Sequence, residues 1–430
     1  MGLDVGTTST QLIVSRLEVQ NRASSFAVPE WGIVSRKILY ESPVHFTPLL
    51  DESHVDGEKL RRLLLEEYER AGITRDQVDT GAVIVTGETS RKENAQAVTE
   101  ALSDFAGDFV VATAGPDLES VLAARGSGAV DYSGRTGKRL LHMDIGGGTA
   151  NLALIEKGEI TATGCLNVGG RLVKFREDGS VRYVSPVLRE LWQDGIVEAL
   201  CARLAHVLEA AAGLGEDPWL EALTTPGTRA LPLNREPVIP SFSGGVADCI
   251  RKDFAPRAFG DIGPTLGKRI REGKLCAGEY YLGEQTIRAT VIGAGCHSAM
   301  LSGSTVFCQN VELPLKNLRV AHMEDPVWTS GEDGETPWVL AIPGEGPVDY
   351  GRLTQLAEKL LERFAGKPML LCLEADCAQA LGQRVALLAG KDAGILCIDR
   401  VRLPRGSYLD VGAPVGPAFP VVVKTLIFNG

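Results

Sequence analysis

Two short stretches combine a carboxylate with residues that leave the backbone bare. Asp4 is followed by Gly6-Thr7-Thr8-Ser9, and Asp144 by Gly146-Gly147-Gly148-Thr149. Each lies between two runs of β-forming residues, so each reads as a hairpin turn with an aspartate just before it. Nucleoside triphosphates ask for this combination. Their phosphates need backbone N–H donors at close range, and glycine leaves that approach open. Their Mg²⁺ keeps several waters and is held by one or two carboxylates. A single Asp-x-Gly reads as an ordinary turn. Two matching hairpins favour a pair of phosphate loops clamping one nucleotide–metal complex. Asp4 and Asp144 are therefore the candidates to hold Mg²⁺ through its waters. Gly6, Thr7, Thr8, Gly146, Gly147, Gly148 and Thr149 are the candidate phosphate ligands, although Thr8 and Ser9 side chains also suit plain turn stabilisation. Gly169, in "NVGG", borders the phosphates or ends a strand.

Hydrolysis would also need a carboxylate or amide that positions water. Glu88, in "TGETS", ends a central strand, where open α/β sheets place their sites. Asp117 and Glu119 follow Pro116 at a helix start, where the helix dipole favours carboxylates, and for both a helix-end role has the edge over catalysis. Arg91 and Lys92 suit either phosphate contact or solvation. "GPTLGK" (263–268) is one residue short of a nucleotide-binding lysine loop, and Arg269 stands where Ser or Thr is required, so it is set aside.

The elements that must position these residues repeat. "LDVGTTSTQLIVSRL" opens the chain as a hairpin, and "RKILYES" supplies a third strand. "DGEKLRRLLLEEYERAGI" is helical, with leucines at helical spacing and Gly72 at its stop. "TGAVIVTGETS" is strand then loop, "ENAQAVTEALSDFAG" helix, "DFVVATAG" strand, and "PDLESVLAARGSGA" helix. The pattern restarts with "RLLHMDIGGGTANLALIEKGEI", and "ITATGCLNVGGRLVKF" continues the sheet. "SPVLRELWQDGIVEALCARLAHVLEAAAG" reads as one long helical stretch. "EPVIPSFSGGVADCI" runs from strand through a Gly-Gly turn into helix, and "QTIRATVIGAGCHSAM" repeats that layout. Residues 323–347 are loop-like around "WVLAI". Alternating helices and strands then finish the chain as a separate α/β region. The expected division is 1–136, 137–305 and 306–430, two halves of like design and a C-terminal part.

Composition narrows the function classes. The 430 residues are 44% hydrophobic, enough for two or three cores. A net charge of -11 repels nucleic-acid phosphates, so nucleic-acid binding is not expected. No apolar run has the length of a membrane helix, and no export signal opens the chain. The nine cysteines are scattered without a Cys-x-x-Cys pair, which fits a reduced, cytoplasmic protein with mostly buried thiols. Cys296 and His297 are adjacent, but neighbouring side chains usually point apart.

"LDVGTTSTQLIV" and "MDIGGGTANLAL" resemble the two phosphate motifs of the actin–hexokinase–Hsp70 superfamily. "FSGGVA" (242–247) is similar to its adenosine motif, which places Gly244 and Gly245 beside base and ribose. "TGETSRKENAQ" and "VIGAGCHSAM" fall where its connecting segments lie. The resemblance implies a duplicated actin-like (ribonuclease H-like) ATPase fold, α/β, with a nucleotide cleft between two halves and a further C-terminal α/β region. Longer stretches narrow the likeness: "QNRASSFAVP", "VIVTGETSRKENAQ", "FGDIGPTLG", "GEQTIRATVIGAGCHSAMLSGST" and "PVVVKTLIFNG" resemble the reactivating factors of ethanolamine ammonia-lyase, over essentially the whole chain. That family implies ATP and Mg²⁺ as cofactors and the lyase with its bound cobalamin as partner. It also implies weak ATP turnover coupled to release of damaged cobalamin so that adenosylcobalamin can rebind. A homodimer and a bacterial microcompartment location stay open. Only Met1, Gly2 and Leu3 precede Asp4, where the family is expected to carry a longer first strand, and a shortened strand would weaken nucleotide binding.

Other functions on this fold make different demands. A small-molecule kinase needs a base beside an acceptor hydroxyl, and no aspartate of the first half has a convincing setting for it. A polyphosphate-type phosphohydrolase would use Glu119 as its catalytic residue. An activator of radical dehydratases needs paired cysteines for an iron–sulfur cluster, against which the scattered cysteines argue.

Overall fold

The computed structural model describes all residues except 7–8, 22–30, 51–53, 75–76, 79–81, 86–109, 114–115, 193–194, 227, 229–230, 232, 234–236, 284, 295–299, 302–305, 324–337, 345–349, 365–366, 404–406, 415–418 and 426–430. The first half contains β1 (Gly2–Val5), β2 (Ser9–Asn21), β3 (Trp31–Glu41), β4 (His45–Phe46), α1 (Gly57–Ala71), β5 (Ala82–Val85) and β6 (Val110–Thr113). Two helices follow, α2 (Pro116–Gly126) and α3 (Ala129–Thr136). The second half contains β7 (Leu140–Ile145), β8 (Ala150–Glu156), β9 (Glu159–Leu166), β10 (Val173–Phe175), β11 (Val181–Val184), α4 (Val197–Ala211) and α5 (Trp219–Leu223). It continues with β12 (Ile239–Ser243), α6 (Gly245–Arg251), α7 (Gly263–Glu272), β13 (Tyr281–Leu282) and α8 (Ala289–Ile292).

The two main sheets share one topology. The first runs β3-β2-β1-β5-β6 and the second β9-β8-β7-β12-β13. In each, the first three strands form an antiparallel meander and the last two run parallel to the first strand. This is the duplicated α/β layout that the resemblance implies, one like sheet in each half. Strand β1 is short, but all four of its residues pair with both β2 and β5.

Each sheet is covered on both faces, which is why β7 reads "LLHMDI" with every residue buried. On one face of the first sheet, Leu3, Val5, Leu12 and Val83 pack on Leu60 and Leu64 of α1. That helix is capped by the Asp56 carboxylate, which accepts the Lys59 N–H at 3.0 Å, and stops at Gly72 in the left-handed region. On one face of the second sheet, Met143, Ile145 and Leu152 pack on Leu204 and Leu208 of α4.

The opposite faces are covered by exchange. Helix α2 leaves the first sheet, yet its Ala124 packs on Leu140, Ala153 and Ile155 of the second. Helix α8 leaves the second sheet, yet its Val291 and Ile292 pack on Ile13 of the first. The two helices cross with backbone against backbone. A Cβ on Gly126 would lie 1.8 Å from the Ala289 carbonyl oxygen, and one on Gly293 would lie 2.1 Å from that of Leu122.

The C-terminal elements are β14 (Met300–Leu301), β15 (Phe307–Gln309), β16 (Leu315–His322), β17 (Trp338–Ile342), α9 (Tyr350–Phe364), β18 (Met369–Leu373), α10 (Ala378–Ala389), β19 (Ile395–Ile398), β20 (Ser407–Val411) and β21 (Pro420–Thr425). They form an eight-stranded sheet, β14-β21-β20-β16-β17-β18-β19-β15, with β16 to β19 parallel. Helices α9 and α10 share one face of it. Among the described residues no helix is long and apolar enough to cross a membrane.

Four sequence expectations change. The long helix over 185–213 is instead a 3-10 turn at Pro186–Leu188 and a helix beginning at Val197, separated by Gly195 in the left-handed region. Helix α3 was not anticipated; Gly128, also left-handed, separates it from α2. "RLVKF" does not continue the second sheet but pairs with β11 as a separate hairpin. Among its described residues "QTIRATVIGAG" holds no strand, only α8. The helix expected over 93–107 lies outside the described residues.

The helix crossing makes a direct prediction. Gly126→Ala forces a methyl into a carbonyl oxygen and should cost about 3 kcal/mol of stability. Gly57→Ala, with nothing within 4 Å of the added carbon, should be near neutral. Chemical denaturation of the two variants checks this, and equal stabilities would contradict the tight crossing.

Candidate functional site

The two aspartate hairpins are built alike. In the first, the Gly6 N–H donates to the Ser9 carbonyl at 2.9 Å. In the second, the Gly146 N–H donates to the Thr149 carbonyl at 2.9 Å. Register follows from the equal turn lengths: Asp4 lies opposite Gln11, and Asp144 opposite Asn151. Directly opposed residues project from the same face, so each carboxylate has an amide beside it. Both pairs lie on the faces covered by the crossed helices.

Those helices join the hairpins into one locus. The Gln11 side-chain amide donates to the Ile287 carbonyl at 3.2 Å. Three residues on, the Thr290 hydroxyl of α8 hydrogen-bonds the Asp144 carboxylate. From α2, Glu119 accepts the Asn151 amide N–H at 2.7 Å. Asp4, Asp144 and Glu119 are thereby gathered around α2 and α8. Glu119 is buried and reaches across to β8 rather than serving its own helix end. Asp117 points elsewhere: it is exposed and accepts the Thr163 hydroxyl on β9 at 2.6 Å. Thr7, Thr8 and Glu88 lie outside the described residues.

Asp144 is a buried carboxylate held by hydroxyls. Ser243 donates to Oδ1, and Thr290 adds a second hydrogen bond. Burial outweighs both and pushes its pKa up to about 6. Ser243 is itself fixed from behind. Because its proton goes to Asp144, it accepts from Nε2–H of His142 at 2.9 Å, leaving Nδ1 to accept from Ser241 at 2.9 Å. Burial pushes the pKa of His142 down to about 3, so this ring is neutral.

The glycines divide by what requires them. Gly244 has φ +84°, and a Cβ there would lie 2.4 Å from the Ile145 carbonyl oxygen. Gly169 lies equally close to Gly147. Its neighbours pin the turn from behind: Gly170 N–H donates to the Gly146 carbonyl at 2.9 Å and Arg171 N–H to the Gly147 carbonyl at 2.7 Å. The fold needs Gly169 and Gly244. Gly146 and Gly147 are different. Neither has a positive φ, and an added Cβ would meet nothing nearer than 3.7 and 3.4 Å. Gly245, at the start of α6, faces open space. Packing does not require the absence of side chains at 146, 147 and 245, and that absence leaves their backbone open to close approach. Gly148 and Thr149 complete the same turn.

Arg171 escaped sequence reasoning, although it directly follows "NVGG". Its aliphatic stem lies over Gly147, and its Nε stands 3.6 Å from Asp261, a carboxylate raised by burial that also accepts the Gly263 N–H of α7. Gln11, Asn151, Ser243 and Thr290 escaped too. "GPTLGK" forms the first turns of α7, a buried helix face and not a loop.

With this geometry in place, comparison with known proteins is informative. The sequence model of the family described as ethanolamine utilisation protein EutA matches residues 1–429. The ethanolamine ammonia-lyase reactivase EutA of Salmonella typhimurium is 38% identical over 460 residues, covering 100% of this chain and 98% of that protein. Its namesake from Escherichia coli is 38% identical over 461 residues, with the same coverage. Among solved structures, the ethanolamine utilization protein EutJ from Carboxydothermus hydrogenoformans is similar at a TM-score of 0.35 and 16% identity, over 68% of this chain and 88% of that one. A Ppx/GppA phosphatase of Aquifex aeolicus is similar at a TM-score of 0.39 and 12% identity, over 68% and 97%.

The buried aspartate sets a pH dependence. Its folded pKa lies above the ordinary value, so the folded chain holds this proton more tightly than the unfolded one. Stability from this group is therefore full below about 3.8 and lost as pH rises through about 6. At neutral pH the charge costs on the order of 3 kcal/mol. Asp144→Asn should raise the ligand-free melting temperature at pH 7 and flatten its fall across that window. A variant less stable than the parent at pH 7 would show that the charge is compensated.

Proposed function

The chain belongs to the ethanolamine utilisation protein EutA family, and on that premise we propose that it is an ATP-dependent reactivating factor of ethanolamine ammonia-lyase. In this reading it releases damaged cobalamin from the lyase so that adenosylcobalamin can rebind. Full-length kinship with two proteins named as reactivases supports the partner. The single observation that carries the nucleotide is the paired hairpin, with the same closing hydrogen bond and the same aspartate register in both halves.

The residues present fit Mg²⁺–ATP. Asp144 is buried, and its hydrogen-bond partners are neutral hydroxyls, so its charge suits a hydrated cation. Asp4 is its counterpart in the first half. In this reading Thr7, Thr8 and Gly147 to Thr149 offer backbone N–H groups to the phosphates, while Gly6 and Gly146, whose own N–H groups close the turns, keep side chains out of the way, with Arg171 as an adjacent cation. Gly169 backs the second turn, and Gly244 and Gly245 give the nucleoside its approach. Glu119, set by Asn151, is the carboxylate that orients water; Glu88 is a second candidate, and Asp117 is turned away to Thr163. Bound Mg²⁺ supplies charge neutralisation on the phosphates.

Residues 1–136 and 137–305 form the halves of the clamp, and 306–430 the candidate surface for the lyase. ATP drives release because nucleotide favours one spacing of the halves, and the lyase binds the two spacings unequally. Hydrolysis or exchange resets the clamp.

The test uses purified ethanolamine ammonia-lyase blocked with cyanocobalamin. Adding this protein, Mg²⁺, adenosylcobalamin and ATP should restore lyase activity, and Asp144→Asn should abolish the recovery. Recovery equal with and without ATP would overturn the reading. A second prediction concerns the glycines. Gly146→Ala should keep stability within about 1 kcal/mol yet weaken ATP binding at least about tenfold, close to 1.4 kcal/mol. Gly244→Ala should lose stability outright. Unchanged ATP affinity in Gly146→Ala would count against the phosphate loop.

A further inference from the structure

Gln11 and Asn151 occupy equivalent places in the two halves, each directly opposite a hairpin aspartate. Both are 4% exposed. In both, the amide nitrogen is committed and the carbonyl oxygen is not. Gln11 Nε2 donates to the Ile287 carbonyl at 3.2 Å, and Asn151 Nδ2 donates to the Glu119 carboxylate at 2.7 Å. These partners are pure acceptors, so neither amide can be turned over without setting oxygen against oxygen. The orientation of each carbonyl is thereby fixed. Among the described residues neither Gln11 Oε1 nor Asn151 Oδ1 has a hydrogen-bond partner. A buried carbonyl left so costs about 1–3 kcal/mol, and here the same unsatisfied acceptor occurs at both pseudo-equivalent positions.

What could satisfy these oxygens is limited by chemistry. They accept only. A phosphate oxygen at neutral pH also accepts and would be repelled. A divalent cation that keeps its waters presents polarised O–H groups on every side, and it sits against the two carboxylates these amides face. Resting on the Mg²⁺–ATP reading, we propose that Gln11 and Asn151 are a matched pair of positioning residues that accept hydrogen bonds from the waters of the bound cation, one from each half. Asn151 then has two duties: its oxygen takes a metal water while its nitrogen holds Glu119. The pair completes the cation's hydration shell only when the two halves are brought together.

The test is calorimetric titration of the full-length protein with ATP, in Mg²⁺ and in chelator. The readout is the ratio of the two affinities. Gln11→Met and Asn151→Leu remove the acceptor at near-constant volume, and each should lower that ratio about tenfold, the usual effect of losing an outer-shell partner. Gln11→Glu restores an oxygen and adds charge, and should bring half-saturation to lower Mg²⁺ concentration. A ratio within twofold of the parent in Gln11→Met and Asn151→Leu overturns the proposal. So does a loss in Gln11→Glu equal to that in Gln11→Met, which would mark a packing role. Should Asn151→Leu fail to fold, the two Gln11 variants decide alone. A parent protein that binds no ATP in either condition overturns the nucleotide reading and this inference with it.

Discussion

Two helices cross with main chain touching main chain, and the placing of the candidate-site side chains depends on that contact. Gly126 lies under the Ala289 carbonyl and Gly293 under that of Leu122. Only with both Cβ atoms missing can the axes come so near. Glu119 stands seven residues before Gly126, about two turns away on the same helix side. Thr290 stands one turn before Gly293. The crossing therefore delivers a carboxylate to Asn151 and a hydroxyl to Asp144 at fixed spacing. It also lets a segment that packs on the first sheet touch the Asp144 carboxylate of the second.

The candidate site differs from another buried carboxylate of the chain in how its charge is matched. Glu67 is a buried carboxylate as well, but it accepts the Tyr40 hydroxyl at 2.7 Å and His45 Nε2 at 2.9 Å, and it pairs with Arg70. Its charge is matched within the fold. Among the described residues the Asp144 carboxylate is met by hydroxyls alone, and the amide oxygens opposite the two aspartates, on Gln11 and Asn151, have no hydrogen-bond partner. Local rules broken by neighbouring residues are what a functional site is expected to show.

Much of this was legible beforehand. The hairpins, the restart at residue 140 and the C-terminal alternation follow from periodicity and turn chemistry, which act over short range. Even the partners of Asp4 and Asp144 follow from equal turn lengths, by counting outward from each turn. What stayed hidden is long-range. Nothing local says that α2 covers the second sheet, so Glu119 looked like a helix-end carboxylate. Glycine alone does not reveal why it is there: Gly244 answers to the Ile145 carbonyl, whereas Gly146 and Gly147 leave room for side chains they do not have. The break in the helix before Val197 turned on one left-handed glycine, Gly195, inside a stretch with strong helical composition.

The exchanged helices also govern the order in which the chain can be completed. A nascent chain ending near residue 136 has a first sheet with one face on α1 and the other covered only by α2, through Leu122, until Val291, Ile292 and Ala294 arrive. Helix α2, already made, has its partner strands still inside the ribosome. The first half cannot close its core before residue 294 emerges, whereas the second already has its covering helix and can close once Tyr281 is made, so the half that begins first is completed last. A chain wired this way has no early folded first half to be misread as finished.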